Sequence, residues 1–114
     1  MKLNEIIVQV NAKVLVGNPE EYSDIEKAFS SDLMSDVLTL DEDNILLITG
    51  MANVQLIRTA EMADIKVVLL ARNKRANPDM VQLAEENGLL LLQTPYSIFK
   101  TSGILFSCGL KPVY

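Results

Sequence analysis

The spacing of apolar residues predicts how the chain begins. Apolar side chains recur at i, i+3, i+4 and i+7, which indicates an opening amphipathic helix. They are Leu3, Ile6, Ile7 and Val10. The next segment, Lys13–Val16, is a short β-type run and predicts a strand, which the turn sequence beginning at Gly17 ends.

The following third of the chain is less regular. Tyr22–Ser30 has no clean period, and we predict one extended segment within it. Helical spacing then returns, and Ser31 or Asp32 is the expected cap of this second helix. The residues with that spacing are Leu33, Met34, Val37 and Leu38.

Three strands are predicted from residue 45 onwards, at Ile45–Thr49, Ile65–Leu70 and Leu89–Leu92. These segments are apolar at nearly every position, Lys66 and Thr49 apart, instead of alternating with polar residues. Strands of that kind are covered by other elements on both faces, as in a parallel sheet. We therefore expect the three strands to belong to a buried parallel sheet.

A helix is predicted after each of these strands. The first runs from about Asn53 to Ala63. The second is expected to have Asn77 as its cap and Pro78 in its first turn, and to stop at Gly88. The last is expected to start at Thr94-Pro95 and to reach about Cys108.

Strands alternating with helices imply an α/β fold with right-handed crossovers. We predict one three-layer domain over residues 1–114, with a mainly parallel sheet. Its βαβαβα pattern starts at residue 45, and a less regular helix–strand segment precedes it.

The amino-acid composition limits the classes of partner that the protein is expected to bind. Apolar residues make up 49% of the sequence and charged residues 22%, which predicts an apolar surface patch covered in a homodimer. The net charge of −5 disfavours both nucleic acid and anionic membranes as partners. No apolar run approaches the ~20 residues that span a bilayer. A single cysteine, Cys108, permits no internal disulfide, so we expect a cytoplasmic protein.

The sequence contains no histidine, which removes the commonest general base and a common metal ligand. No nucleophile relay of the Ser/His/Asp or Cys/His type can form. We predict no catalytic residues, no metal site and no cofactor. Cys108 is expected to be a small packed side chain.

Ligands of open parallel sheets bind beyond the carboxyl ends of the strands. Six residues there are candidate contacts for a phosphate or carboxylate group: Thr49, Gly50, Asn53, Arg72, Lys74 and Thr94. Helix starts, hydroxyls and an arginine together suit such an anion. The alternative stays open that Asn53 and Thr94 are only helix caps and that the Arg72 loop is only solvated.

The segment Asp32–Leu38 reads DLMSDVL and resembles the DLLSDVM-type signature of the DRTGG domain family. The order of elements agrees with that family over nearly the whole chain. Further matching positions lie near the C-terminus, at Thr94, Ser97, Phe99, Gly103 and Gly109-Leu110. One feature departs from the family pattern, because Tyr22–Phe29 reads YSDIEKAF and has neither the arginine nor the glycines that name the family.

The resemblance implies a sensing or assembly module. DRTGG domains are similar to the N-terminal domain of HPr kinase/phosphorylase. They occur in some phosphate acetyltransferases, in certain CBS-containing pyrophosphatases whose regulatory region responds to nucleotides and dimerises, and as stand-alone proteins. Asp32, Ser35 and Asp36 carry over from the signature, and we expect them to have a structural or interface role.

Two functions remain open. The first is a non-catalytic, homodimeric regulatory module that binds a small anionic ligand such as an adenine nucleotide or another phosphorylated small molecule. The second is an assembly module for a partner enzyme that has no small ligand.

Overall fold

The computed structural model describes all residues, 1–114, and places them around one six-stranded sheet. The helices are α1 (Leu3–Gln9), α2 (Met34–Val37), α3 (Val54–Met62), α4 (Pro78–Glu86) and α5 (Ile98–Ser107), with one 3-10 turn at Pro19–Glu21. The strands are β1 (Lys13–Val16), β2 (Lys27–Ser30), β3 (Ile45–Thr49), β4 (Val67–Leu70), β5 (Leu90–Gln93) and β6 (Lys111–Pro112).

The sheet order is β1-β5-β4-β3-β2-β6. The three apolar strands predicted from residue 45 are neighbours at its centre, and their pairing is parallel. Only β1 runs antiparallel, with Lys13 opposite Gln93 of β5. The predicted α/β class and mainly parallel sheet are therefore confirmed. The predicted extended segment within Tyr22–Ser30 is β2, which pairs with β3.

Successive strand residues point to opposite faces and build two cores. In β3, Ile45 and Leu47 face α2, α3 and α4, whereas Leu46 and Ile48 face α1 and α5. The sheet is thus covered by three helices on one side and two on the other. This explains why the central strands are apolar on both faces, with polar residues only at their carboxyl ends, Thr49 of β3 and Gln93 of β5.

Two of the predicted helix starts are confirmed. Asn53 caps α3, its side chain accepting a hydrogen bond from the Leu56 N–H at 3.0 Å. Asn77 caps α4 in the same way, with Pro78 in the first turn. Beyond α4, Gly88 has φ of 65°, a conformation that favours glycine and ends the helix.

The predicted start of the last helix is wrong. Helix α5 begins at Ile98, and its cap is Ser97, whose hydroxyl accepts from the Lys100 N–H at 3.1 Å. Thr94 instead donates its hydroxyl to the Val10 carbonyl at 2.6 Å. A tertiary hydrogen bond has therefore replaced the local capping role.

The expected cap of α2 is also wrong. The helix spans only four residues, and its N-cap is Leu33, without a side-chain hydrogen bond. Asp32 lies before the helix and Asp36 within it, so these two acids do not share a helix face. The carboxylate of Asp32 binds groups that follow β3 and β4, as described below.

Cys108 caps the C-terminus of α5 and is exposed, which corrects the expectation that it is packed. None of the helices is both long enough and apolar enough to cross a membrane.

Candidate functional site

The segments that follow β3, β4 and β5 meet at one edge of the sheet, the one formed by the carboxyl ends of these strands, as their parallel pairing requires. The Ala71 N–H donates to the Thr49 carbonyl at 2.8 Å, and the Thr94 N–H donates to the Leu70 carbonyl at the same distance. The ladder therefore continues past the ends of the strands. It fixes the positions of the three predicted ligand-binding segments relative to one another.

The carboxylate of Asp32 lies at the centre of this edge. Its Oδ1 accepts from the Gly50 N–H at 2.6 Å and from the Thr49 hydroxyl at 3.1 Å. Its Oδ2 lies 3.3 Å from Nη2 of Arg72. A backbone N–H, a hydroxyl and a guanidinium thus converge on a single anion, which is a donor set typical of anion-binding sites.

Gly50 makes room for the guanidinium of Arg72. A Cβ at position 50 would clash with Nη2, Cζ and Nε of that side chain. The glycine is therefore needed for close approach. The backbone N–H of Gly50 binds the Asp32 carboxylate, and the side chain of Arg72 packs directly against the glycine.

The loop that carries Arg72 is held in an uncommon conformation. Arg72 and Asn73 have φ of 60° and 56°, in the left-handed region that non-glycine residues seldom adopt. Two hydrogen bonds to the segment after β5 hold them there. The Arg72 N–H donates to the Tyr96 carbonyl at 2.7 Å, and the Asn73 N–H donates to the Thr94 carbonyl at 2.9 Å. Strain of this kind persists where the surroundings determine it, often at functional sites.

Replacing Gly50 with alanine is expected to displace Arg72 while the fold persists. The new methyl group meets the far end of a flexible side chain, so the guanidinium moves and its contact with Asp32 is lost. The ion pair is about half exposed, and we expect the free energy of unfolding to fall by about 1 kcal/mol or less. Urea unfolding measures this, and a loss above about 3 kcal/mol would contradict it.

The other residues predicted to bind the ligand, Lys74, Asn53 and Thr94, differ in whether their side chains are free or already bonded within the protein. Lys74 is exposed, with its N–H bonded to the Ala71 carbonyl at 3.3 Å. The side chain of Asn53 is engaged as the cap of α3. Thr94 is fully buried, and its hydroxyl bonds within the protein. The structure therefore brings Thr49, Gly50 and Arg72 together, whereas Asn53 and Thr94 use their side chains internally.

The three signature residues do not act together. Asp32 occupies the anion position, whereas Ser35 and Asp36 are exposed on α2. Through its backbone, Asp36 accepts a hydrogen bond from the Thr39 hydroxyl at 2.6 Å. Of the signature, only Asp32 reaches the edge of the sheet.

Sequence reasoning did not count Asp32 among the ligand-site residues. The signal was present, because Asp32 follows the extended segment now seen as β2 by two residues. Strand β2 lies beside β3 and parallel to it, so its carboxyl end reaches the same edge. Without the bounds of β2, that fourth strand end could not be placed.

Other parts of the surface lack a comparable donor set. Nowhere do three or more Asp, Glu or Cys side chains converge so that they could hold a metal ion. A cavity of about 280 Å³ lies beside Tyr22, at the amino ends of β3 and β4. Burial, followed by the nearby charge of Glu21, raises the pKa of that phenol, which donates to the Gly88 carbonyl at 2.6 Å.

Comparisons with known proteins give a family and a fold. The family model of the DRTGG domain matches residues 5–108. No curated protein matches the sequence significantly. Among solved structures, the chain is similar to the CBS and DRTGG domains of the regulatory region of Clostridium perfringens pyrophosphatase, complexed with the activator diadenosine tetraphosphate. The TM-score is 0.77 at 14% sequence identity, and the match covers 91% of this chain but only 45% of that one.

Proposed function

The chain belongs to the DRTGG domain family, and on that premise we propose that it is a non-catalytic regulatory module that binds a small anionic ligand and works as a homodimer. The proposed ligand class is a nucleotide, with adenine nucleotides first and other phosphorylated small molecules next. One observation carries the ligand proposal: the Gly50 N–H, the Thr49 hydroxyl and Arg72 already hold a carboxylate, that of Asp32.

A phosphate of the ligand would take the place of the Asp32 carboxylate. Phosphate offers more acceptor oxygens than a carboxylate and a higher charge, and both favour arginine as its partner. Lys74, exposed in the same loop, would add a second cation. Asp32 is half exposed and can turn away into solvent, since α2 after it is short.

The choice of a nucleotide draws on the similar pyrophosphatase region, which is described with the activator diadenosine tetraphosphate. It also agrees with the geometry of the edge, because nucleotides bind beyond the carboxyl ends of parallel strands in many α/β proteins. The proposal assigns Thr49, Gly50 and Arg72 to the phosphate. Asn53 and Thr94 would then support the surrounding loops without contacting it.

Thermal unfolding in the presence of diadenosine tetraphosphate, ATP, AMP or inorganic phosphate tests the ligand. A ligand at one hundred times its dissociation constant adds about 2.7 kcal/mol of stability. For a domain of this size that raises the unfolding midpoint by roughly 10 °C. Replacing Arg72 and Lys74 together with glutamine is expected to abolish the shift, because both cations of the loop are then lost.

The matched control is Arg58→Gln, which removes one positive charge from an exposed position on α3 outside these contacts. The control should keep the full shift. A shift that survives in the Arg72, Lys74 double variant would contradict the assigned site. The absence of any shift across the panel would contradict the ligand proposal itself.

An assembly module without a small ligand is the second candidate. It is favoured by the pairing of Arg72 with Asp32, which leaves the arginine charge balanced with no ligand present. Under this reading the Asp32 contacts only hold the segment between β2 and α2 against the sheet. The ligand panel separates the two candidates, since an assembly module would show no shift.

A further inference from the structure

One face of the sheet is incompletely covered. Helices α1 and α5 pack on that face, with α5 lying over β3. Ala28 and Ser30 of β2 lie on the same side, because they pair with Leu46 and Ile48. These small residues form the floor of a groove of about 250 Å³ between α5 and the β2/β6 edge.

Two exposed aromatic side chains, Phe106 and Tyr114, line this groove, and a third, Phe99, is exposed on the same helix as Phe106. Phe99 and Phe106 are 89% and 67% exposed, and their seven-residue spacing puts them on one side of α5. Tyr114 is 84% exposed, and its ring lies edge-on to Phe29 at the groove. A buried aromatic side chain covers roughly 150–250 Å². At these exposures the three together offer roughly 350–600 Å² per copy, which is about half or more of the ~800 Å² per partner in a standard interface.

Gly103 lies between the two phenylalanines on α5. Nothing lies within 4 Å of the position that a Cβ would occupy there, so packing within the chain does not require glycine. Glycine also destabilises a helix interior relative to alanine. A close approach from outside the chain is what would require glycine at this position.

The charges near α5 and the groove favour a second copy of this chain as the occupant. The chain carries a net charge of −5, so two copies repel except where their meeting surfaces lack acidic groups. Helix α5 has one charged residue, Lys100, which lies over the Tyr96 ring at 3.9 Å. The only charged residue lining the groove is also a lysine, Lys111. The surface formed by α5 and the groove therefore carries no acidic side chain, so two copies can meet through it without opposing acidic side chains, and its two lysines approach a chain of net charge −5.

We propose that a second copy of this chain docks here through a twofold contact of α5 with α5. The two helices cross antiparallel at Gly103, so that Phe99 of one copy packs near Phe106 of the other and the grooves are covered mutually. This inference rests on the proposed homodimer and adds the surface that forms it.

Sedimentation velocity from 1 to 100 µM, in reducing buffer because Cys108 is exposed, tests this surface. The wild-type chain is expected to be a dimer, and Phe106→Glu is expected to weaken dimerisation at least 100-fold, because the contact loses a large apolar side chain and gains a charge. Gly103→Ala is expected to weaken it about tenfold, although alanine is the better helix former. The matched control is Met62→Glu, at an apolar position of α3 that is 64% exposed, and it should remain dimeric.

Far-UV circular dichroism establishes that each variant is folded before it is compared. A wild-type monomer at 100 µM would overturn both the homodimer and this surface. A wild-type dimer that persists in Phe106→Glu would overturn the surface alone. So would a Gly103→Ala dimer as tight as the wild type. The nucleotide panel is scored separately, so failure of ligand binding is distinguishable from failure of this inference.

Discussion

Replacing Asp32 with asparagine is expected to tighten the binding of a phosphorylated ligand about tenfold. The carboxylate of Asp32 holds the Gly50 N–H and Arg72 in the free protein, so a phosphate has to displace it. Even when its side chain has turned towards solvent, Asp32 would stay near the phosphate, because it follows β2 by only two residues. Two like charges 4 Å apart near a protein surface repel by about 4 kcal/mol, so removing one leaves ample energy for a tenfold gain. Titration calorimetry with diadenosine tetraphosphate measures the affinity.

The matched control for this prediction is Asp36→Asn. It removes the same charge from the same signature, at an exposed residue whose side chain makes none of the contacts of Asp32. We expect its affinity to equal that of the wild type within twofold. If Asp32→Asn weakens binding as strongly as the double replacement of Arg72 and Lys74 does, then Asp32 helps to hold the ligand and does not compete with it.

Replacing Thr94 with valine is expected to lower the free energy of unfolding by about 2–3 kcal/mol. The Thr94 hydroxyl is buried, donates to the Val10 carbonyl at 2.6 Å and accepts from the Tyr96 N–H at 3.2 Å. Valine keeps the shape but leaves a buried carbonyl and a partly buried N–H without a partner. The unfolding midpoint should fall by roughly 10 °C.

Thr94→Ser provides the comparison for that experiment, because serine keeps the hydroxyl and removes only a methyl group. We expect it to retain most of the stability that valine loses, as measured by urea unfolding. A valine variant as stable as the wild type would contradict the role assigned to the hydrogen bonds, and a serine variant as unstable as the valine variant would show that the methyl group contributes as much as the hydroxyl.

The core of the fold could be predicted from the sequence because its signals are local. Ile45–Thr49 is apolar up to its last residue, and β3 has the same bounds. Asn53 and Asn77 cap their helices through hydrogen bonds that reach only three residues along the chain. Where a helix start failed, at Thr94, the partner of the hydroxyl is 84 residues away. No local pattern contains a contact of that range.

The candidate site could be predicted only in part, for the same physical reason. Thr49, Gly50 and Arg72 follow apolar strands, so their shared edge could be inferred. Asp32 reaches them across 17 to 40 positions of sequence, from a short element in an irregular segment. Its role depends on the place of β2 beside β3, which the spacing of apolar residues did not reveal.

The two-residue strand β6 limits how copies of this chain can assemble. Pro112 has no N–H to donate, and the strand is too short to offer a row of unpaired backbone groups. On the opposite side of the sheet the outermost strand is β1. Its register with β5 shifts between Val14 and Val16, which interrupts the regular pairing of the two strands. Such edges resist the addition of further strands and so guard against fibre growth and edge-to-edge aggregation. If copies associate as proposed, these edges direct the contact to the helical faces, where a twofold contact closes after two copies.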